Sequence, residues 1–217
     1  MQEKGISEEK IFEILQERLS KDQKYSSGRI LASMCTNPLE ISKRTYTLGL
    51  EKNLGDEFLF PGSANVENEA VCMLGDLLSN SKAAGHIVSG GTEANITALW
   101  VAKKQSKDRK NEVILPISAH FSFERAADIL GLKLVGIPLT NELNMDISKV
   151  RNEVNQKTLA IVGIAGSTLM GAVDDIPKLS DISLENNLFL HVDAAFGGFV
   201  LPFLKDLGLY EGVFDFE

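Results

Sequence analysis

Between residues 86 and 193, short apolar segments alternate with longer stretches of helical periodicity, and this alternation constrains the fold more than any other feature. The apolar segments are residues 86–89, 113–117, 133–138, 159–165 and 188–193; helical patterns follow from Thr92, Phe123, Asp146 and Ile176. A helix inserted between two strands returns the chain to the edge from which it started, so successive strands run parallel. The run LAIVGIA at 159–165 is apolar throughout, not alternating. That pattern belongs to a strand covered on both faces. The fold class expected is α/β, a mainly parallel sheet flanked by helices.

Upstream the pattern is helical. Ile11, Ile14, Leu15 and Leu19 recur at helical spacing within residues 7–22, with Ser7 as N-cap and Glu8 and Glu9 near the positive helix end. A polar loop over 25–38 precedes a second predicted helix over 39–53. Residues 55–63 carry Gly and Pro and read as a loop. A third helix over 66–78 would place Ala70, Met73, Leu74 and Leu77 on its inner face. The expected division is an N-terminal helical arm at 1–64 and an α/β domain at 65–217, with no repeat or low-complexity linker between them. At 217 residues the chain can bury one sizeable core.

A formal net charge of −8 argues against a nucleic-acid partner. Two distant cysteines, Cys35 and Cys72, make no disulfide framework and point to a reducing compartment. His86, His120 and His191 lack metal-ligand spacing, so no metal is expected. The N-terminus is polar and charged, and the longest apolar stretch, 159–165, is too short to span a membrane. These features predict a cytoplasmic protein.

Four segments could carry chemistry, and each has a plainer reading beside the functional one. SGGTEAN at 89–95 places two glycines at the start of a helix. Gly90 and Gly91 let a ligand approach the backbone, the helix end supplies N–H groups, and Thr92 adds a hydroxyl; together they suit a phosphate. The alternative is a glycine turn with Thr92 as an ordinary N-cap. In HVDAAFGG, 191–198, Asp193 sits at the carboxyl end of a strand, where open α/β sheets bind ligands. It could pair with a protonated ring nitrogen beside the small Ala194 and Ala195, or it could cap a helix or pair with an arginine. In SAHFSFERA, 118–126, His120 could stack on an aromatic cofactor, or it could cap the following helix or bond to backbone. In AGSTLMGAVDD, 165–175, Ser167 and Thr168 could donate into a cleft or close their own loop; Asp174 and Asp175 read as a loop residue and an N-cap.

In a parallel sheet all four segments fall at one edge. A phosphate cradle, a stacking ring, a hydroxyl donor and a carboxylate converging on one cleft suit pyridoxal phosphate.

These segments in this order, with SMCTNP at 33–38 and EKNLGDEFLFPG at 51–62, resemble the group II pyridoxal-phosphate decarboxylases of fold type I, nearest the archaeal branch acting on L-tyrosine and L-aspartate. The resemblance covers nearly the whole chain. It implies a fold-type-I large domain with pyridoxal 5'-phosphate as cofactor. Gly90, Gly91 and Thr92 would hold the phosphate. His120 would stack on one ring face and Ala195 pack on the other. Asp193 would pair with the ring nitrogen, and Thr168 would contact the cofactor; His120, Asp193 and Thr168 are the catalytic candidates. Asn37 and Asn53 would border the substrate pocket. The reaction implied is decarboxylation of an L-amino acid, tyrosine to tyramine or aspartate to β-alanine, feeding methanofuran and coenzyme A biosynthesis, in a homodimer. The family's Schiff-base lysine follows a histidine downstream of the aspartate motif; no His-Lys pair occurs in this sequence, and Lys205 is a poor substitute. The chain therefore reads as an N-terminal fragment without its C-terminal small domain, inactive alone. The other readings are a desulfurase, aldolase or aminotransferase of the same fold, or a non-catalytic half-protein that binds cofactor or pairs with a partner chain.

Overall fold

The computed structural model describes residues 4–30, 35–106, 110–204 and 206–209. Residues 33–34 of SMCTNP, Lys205 and the terminal FDFE lie outside the described residues. The chain divides into two compact units, Met1–Glu51 and Lys52–Glu217.

The first unit contains helices α1 (Glu8–Leu19) and α2 (Glu40–Gly49). Ser7 caps α1 as expected, its hydroxyl accepting from the Lys10 N–H. Helix α2 stops at Gly49, short of the predicted 53. Neither helix buries a residue.

In the second unit α3 spans Pro61–Leu77. It starts earlier than the predicted 66, because Pro61 occupies the first turn, where a missing N–H costs nothing. Met73, expected on the inner face, is 69% exposed. The α/β layers follow: α4 (Gly91–Gln105), β1 (Glu112–Pro116), α5 (Ser122–Leu130), β2 (Lys133–Ile137), α6 (Ile147–Glu153), β3 (Thr158–Ile164), α7 (Ile176–Glu185) and β4 (Phe189–Asp193). The four strands are ordered β2-β1-β3-β4, every pairing parallel, with Ile164 opposite Asp193 in the β3–β4 register. This is the predicted α/β class.

Residues 86–89 are the one predicted strand that does not form. A strand requires a neighbouring strand to take its N–H and C=O groups. Here side chains serve instead: the Ile87 N–H donates to Glu67 Oε1 (2.8 Å) and the Ser89 N–H to Glu93 Oε2 (2.9 Å).

The pleat sends alternate residues of β1 to opposite layers. Val113 and Leu115 pack with Leu99, Phe123 and Ala126 of α4 and α5. Ile114 packs with Val150, Leu179 and Ile182 of α6 and α7. Strands β1 and β3 are buried along their whole length, which is why their sequences are apolar without alternation. No helix among the described residues is long and apolar enough to cross a membrane.

Candidate functional site

Parallel strands put all their carboxyl ends on one edge, and the chain leaves that edge after β1, β3 and β4 through the three loops singled out above. Helix α4 brings its N-terminus to the same place. An added Cβ on Gly91 would stand 3.3 Å from the Ala195 Cβ, so the start of α4 lies against the loop after β4. The loops after β3 and β4 are tied together: the Ala165 N–H donates to the Asp193 carbonyl (2.9 Å), and the Gly197 N–H to the Ala165 carbonyl (3.0 Å). A side chain at Gly197 would meet that carbonyl at 2.2 Å, so only glycine permits the approach.

Gly90, not Thr92, is the N-cap of α4, and the first intrahelical bond runs from the Ala94 N–H to the Gly90 carbonyl (3.0 Å). Thr92 sits inside the first turn, half-buried, so the plain N-cap reading of its hydroxyl does not hold. The N–H groups of this turn have no acceptor within the helix. An added Cβ on Gly90 meets nothing within 4 Å, so space lies open there. The Glu93 carboxylate folds back onto Ser89, accepting from its N–H (2.9 Å) and hydroxyl (2.6 Å), and these bonds lower its pKa. The result is an open, glycine-lined helix end of the kind that takes a phosphate.

Asp193 neither caps a helix nor meets an arginine among the described residues. Its Oδ1 accepts from the Ala195 N–H (3.0 Å), and its Oδ2 accepts from the side-chain amide of Asn95 (2.9 Å). Both donors are neutral, and a cationic ring N–H would supply the opposite charge. Asn95 is 3% exposed and also donates to Ser122 Oγ (3.0 Å). Its carbonyl oxygen lies 2.7 Å from His191 Nε2. Since the amide turns its amino group to the carboxylate, its oxygen faces His191, and Nε2 of that ring carries the proton. Burial lowers the His191 pKa, with the charge of Asp193 opposing it.

His120 is half-buried after β1. Its Nδ1 accepts from the Ser122 N–H (3.3 Å), so for that nitrogen the backbone-bonded reading holds. The ring also lies against Phe121, centroids 4.1 Å apart and tilted by 42°. Ser122 thus links the His120 loop to Asn95 and through it to Asp193.

The other candidates differ. Ser167 is buried and closes its own loop, Oγ accepting from the Ala172 N–H (3.2 Å). Thr168 is half-buried at the start of the adjoining turn. Asp175 caps α7, accepting from the Lys178 N–H (3.1 Å). Asp174, read from sequence as a loop residue, is instead a buried brace: it accepts from the N–H groups of Met145 (2.6 Å) and Ile164 (2.8 Å). Asn53 closes a local turn onto the Gly55 N–H (3.0 Å), and Asn37 belongs to the first unit. Asn95 is a site residue that sequence reasoning misses; its place in the SGGTEAN motif is the available signal.

Residues 47–213 match the family model described as the pyridoxal-dependent decarboxylase conserved domain. The L-aspartate/L-glutamate decarboxylase of Pyrococcus horikoshii is 48% identical over 98% of this chain and 56% of its own length. The L-tyrosine/L-aspartate decarboxylase of Methanocaldococcus jannaschii is 46% identical over 100% of this chain and 58% of its own length. Among solved structures, the sphingosine-1-phosphate lyase of Burkholderia pseudomallei superposes with a TM-score of 0.84 at 26% identity, covering 100% of this chain and 53% of that one. The glutamate decarboxylase of Lactobacillus brevis, 21% identical, shares the fold at a TM-score of 0.84 over 95% of this chain and 51% of its own. The chain thus spans a little over half the length of the curated relatives it matches. The chain belongs to the pyridoxal-dependent decarboxylase family, whose cofactor is pyridoxal 5'-phosphate.

Proposed function

We propose that this chain is the cofactor-holding part of an enzyme that removes the α-carboxylate of an L-amino acid, tyrosine or aspartate. The observation that carries the reading is that Asp193 and the start of α4 both meet Ala195: its N–H donates to the carboxylate, and its Cβ stands 3.3 Å from where a Cβ on Gly91 would lie. When bound, the cofactor supplies an electron sink for the electron pair left as carbon dioxide departs. The open start of α4, from Gly90 through Thr92, holds its phosphate. Asp193 accepts the proton-bearing ring nitrogen and keeps that positive charge in place. His120 and Ala195 would flank the bound ring and exclude water, and Thr168 would contribute a hydroxyl to it. Asn53 borders the substrate pocket.

We assign the lysine that anchors the cofactor covalently to the part of the relatives' length that this chain does not span. Family members of about twice this length support that reading. The protein is cytoplasmic and works as a homodimer. The exposed apolar run containing Leu54, Phe58, Leu59, Val66 and Met73, with Phe58 98% exposed, supports a partner surface.

The test is expression of the coding sequence continued past residue 217, followed by assay of carbon dioxide release from L-tyrosine, L-aspartate and L-glutamate. Release from tyrosine or aspartate, together with a cofactor absorbance band that survives dialysis, is expected. A continued protein that retains cofactor but transaminates instead would move the reading to another enzyme of the same fold.

A further inference from the structure

Asp193 is held in place by a residue on a different element, and that residue also fixes its neighbours. The Asn95 side chain, in the first turns of α4, makes three contacts at once. It donates to Asp193 Oδ2 (2.9 Å) and Ser122 Oγ (3.0 Å), and it accepts from His191 Nε2 (2.7 Å). The side chain is 3% exposed, and Ser122 is fully buried. The contacts reach two elements: the end and the middle of β4, and the first residue of α5. A primary amide has two donor hydrogens and one acceptor oxygen, and here all are used. Aspartate at this position would set a second carboxylate against Asp193, and leucine would take this partner from the buried Ser122 hydroxyl and from the half-buried Asp193 and His191.

The carboxylate of Asp193 can rotate about its Cβ–Cγ bond unless both oxygens are fixed. The Ala195 N–H fixes Oδ1 and the Asn95 amide fixes Oδ2. We propose that Asn95 is a positioning residue: it sets the plane in which Asp193 meets the ring nitrogen of the cofactor, and through Ser122 it couples that plane to the His120 loop. This inference rests on the cofactor reading of the site given above. It adds a specificity element, since a carboxylate held in one plane distinguishes a ring bearing N–H from one bearing C–H.

The test compares two probes on the protein continued past residue 217: pyridoxal 5'-phosphate and its 1-deaza analogue, in which carbon replaces the ring nitrogen. Dissociation constants are measured by calorimetry for wild type, Asn95→Leu, Asn95→Asp and Ser122→Ala, with circular dichroism verifying the fold. Wild type should favour pyridoxal phosphate over the deaza analogue. Asn95→Leu should bring the two constants together, weakening pyridoxal phosphate about tenfold while moving the analogue less than about twofold. Ser122→Ala keeps the Asn95–Asp193 contact and should retain most of the preference, while Asn95→Asp should lose it and so reports on the inference if the leucine variant unfolds. In an Asp193→Ala background, Asn95→Leu should add no further loss of preference. A purely structural role for Asn95 would weaken both probes equally, and that result overturns the inference while leaving the cofactor reading intact. A wild-type chain that binds neither probe, or binds both alike, overturns the cofactor reading and the inference with it.

Discussion

The Cβ that Gly91 lacks would stand 3.3 Å from the Cβ of Ala195, so the start of α4 and the loop after β4 meet with room for one hydrogen and little more. This closeness brings the helix end to the same space as Asp193. Alanine at residue 91 would demand a shift of a few tenths of an ångström from Ala195; valine would push the loop away. Gly91→Val should weaken pyridoxal phosphate binding by more than about tenfold while far-UV circular dichroism shows the helices intact. Equal affinity in the valine variant would show that the phosphate is held elsewhere.

Asp193→Ala removes the acceptor shared by the Ala195 N–H and the Asn95 amide. Leaving these donors unmatched costs about 1–3 kcal/mol, which a folded domain of this size tolerates. In the continued chain this variant should lose decarboxylation while keeping its thermal transition. His120→Ala should release cofactor more readily on dialysis and slow turnover without abolishing it. Full activity in both variants would remove these residues from the chemistry.

The sheet could be read from the sequence because β1 and β3 are buried on both faces and need no polar residue until they end. The segment at 86–89, HIVS, carries an apolar pair after a helix as the true strands do, yet pairing is a property of two strands, and no local pattern reports the partner. Met73 likewise fits the period of α3, but burial depends on what stands opposite that face, and it is exposed. The site followed the same division. Glycines 90 and 91, His120 and Asp193 stand out because all of them fall at strand ends or a helix start, the one edge at which an open α/β sheet binds ligands. Asn95 does not, because its function consists of three contacts to residues 27, 96 and 98 positions away. Such distances become short only after α4 has packed on the sheet.

Asp174 braces the loops below the site. Its two oxygens receive the N–H groups of Met145 and Ile164, so both sides of the side chain must accept. Asparagine offers one accepting oxygen and turns a donor toward the second N–H. Asp174→Asn should therefore lower stability by about 1–3 kcal/mol, read from urea melts at neutral pH. Burial raises the Asp174 pKa more than its two hydrogen bonds lower it. With the folded pKa above the unfolded one, its linked contribution is fullest in acid and is lost as pH rises through the folded value. The asparagine variant should lack that term. An unchanged midpoint would mean that the brace bears no load.

His191 titrates in the opposite sense. Burial lowers its pKa, Asp193 pulls it back in part, and the neutral ring donates from Nε2 to Asn95. An unfolded histidine takes up its proton near pH 6.5. The folded ring resists that proton, so its contribution to stability is present above about pH 6.5 and drains away as pH falls toward the lower folded value. His191→Gln keeps an N–H that can reach the Asn95 oxygen and has no proton to gain. Urea midpoints measured from pH 8 down to pH 5 should therefore fall more steeply for wild type than for the glutamine variant, the two curves separating below about pH 6.5. Parallel curves would show that the buried ring is not the group being charged, and that Nε2 is not locked as a donor to Asn95.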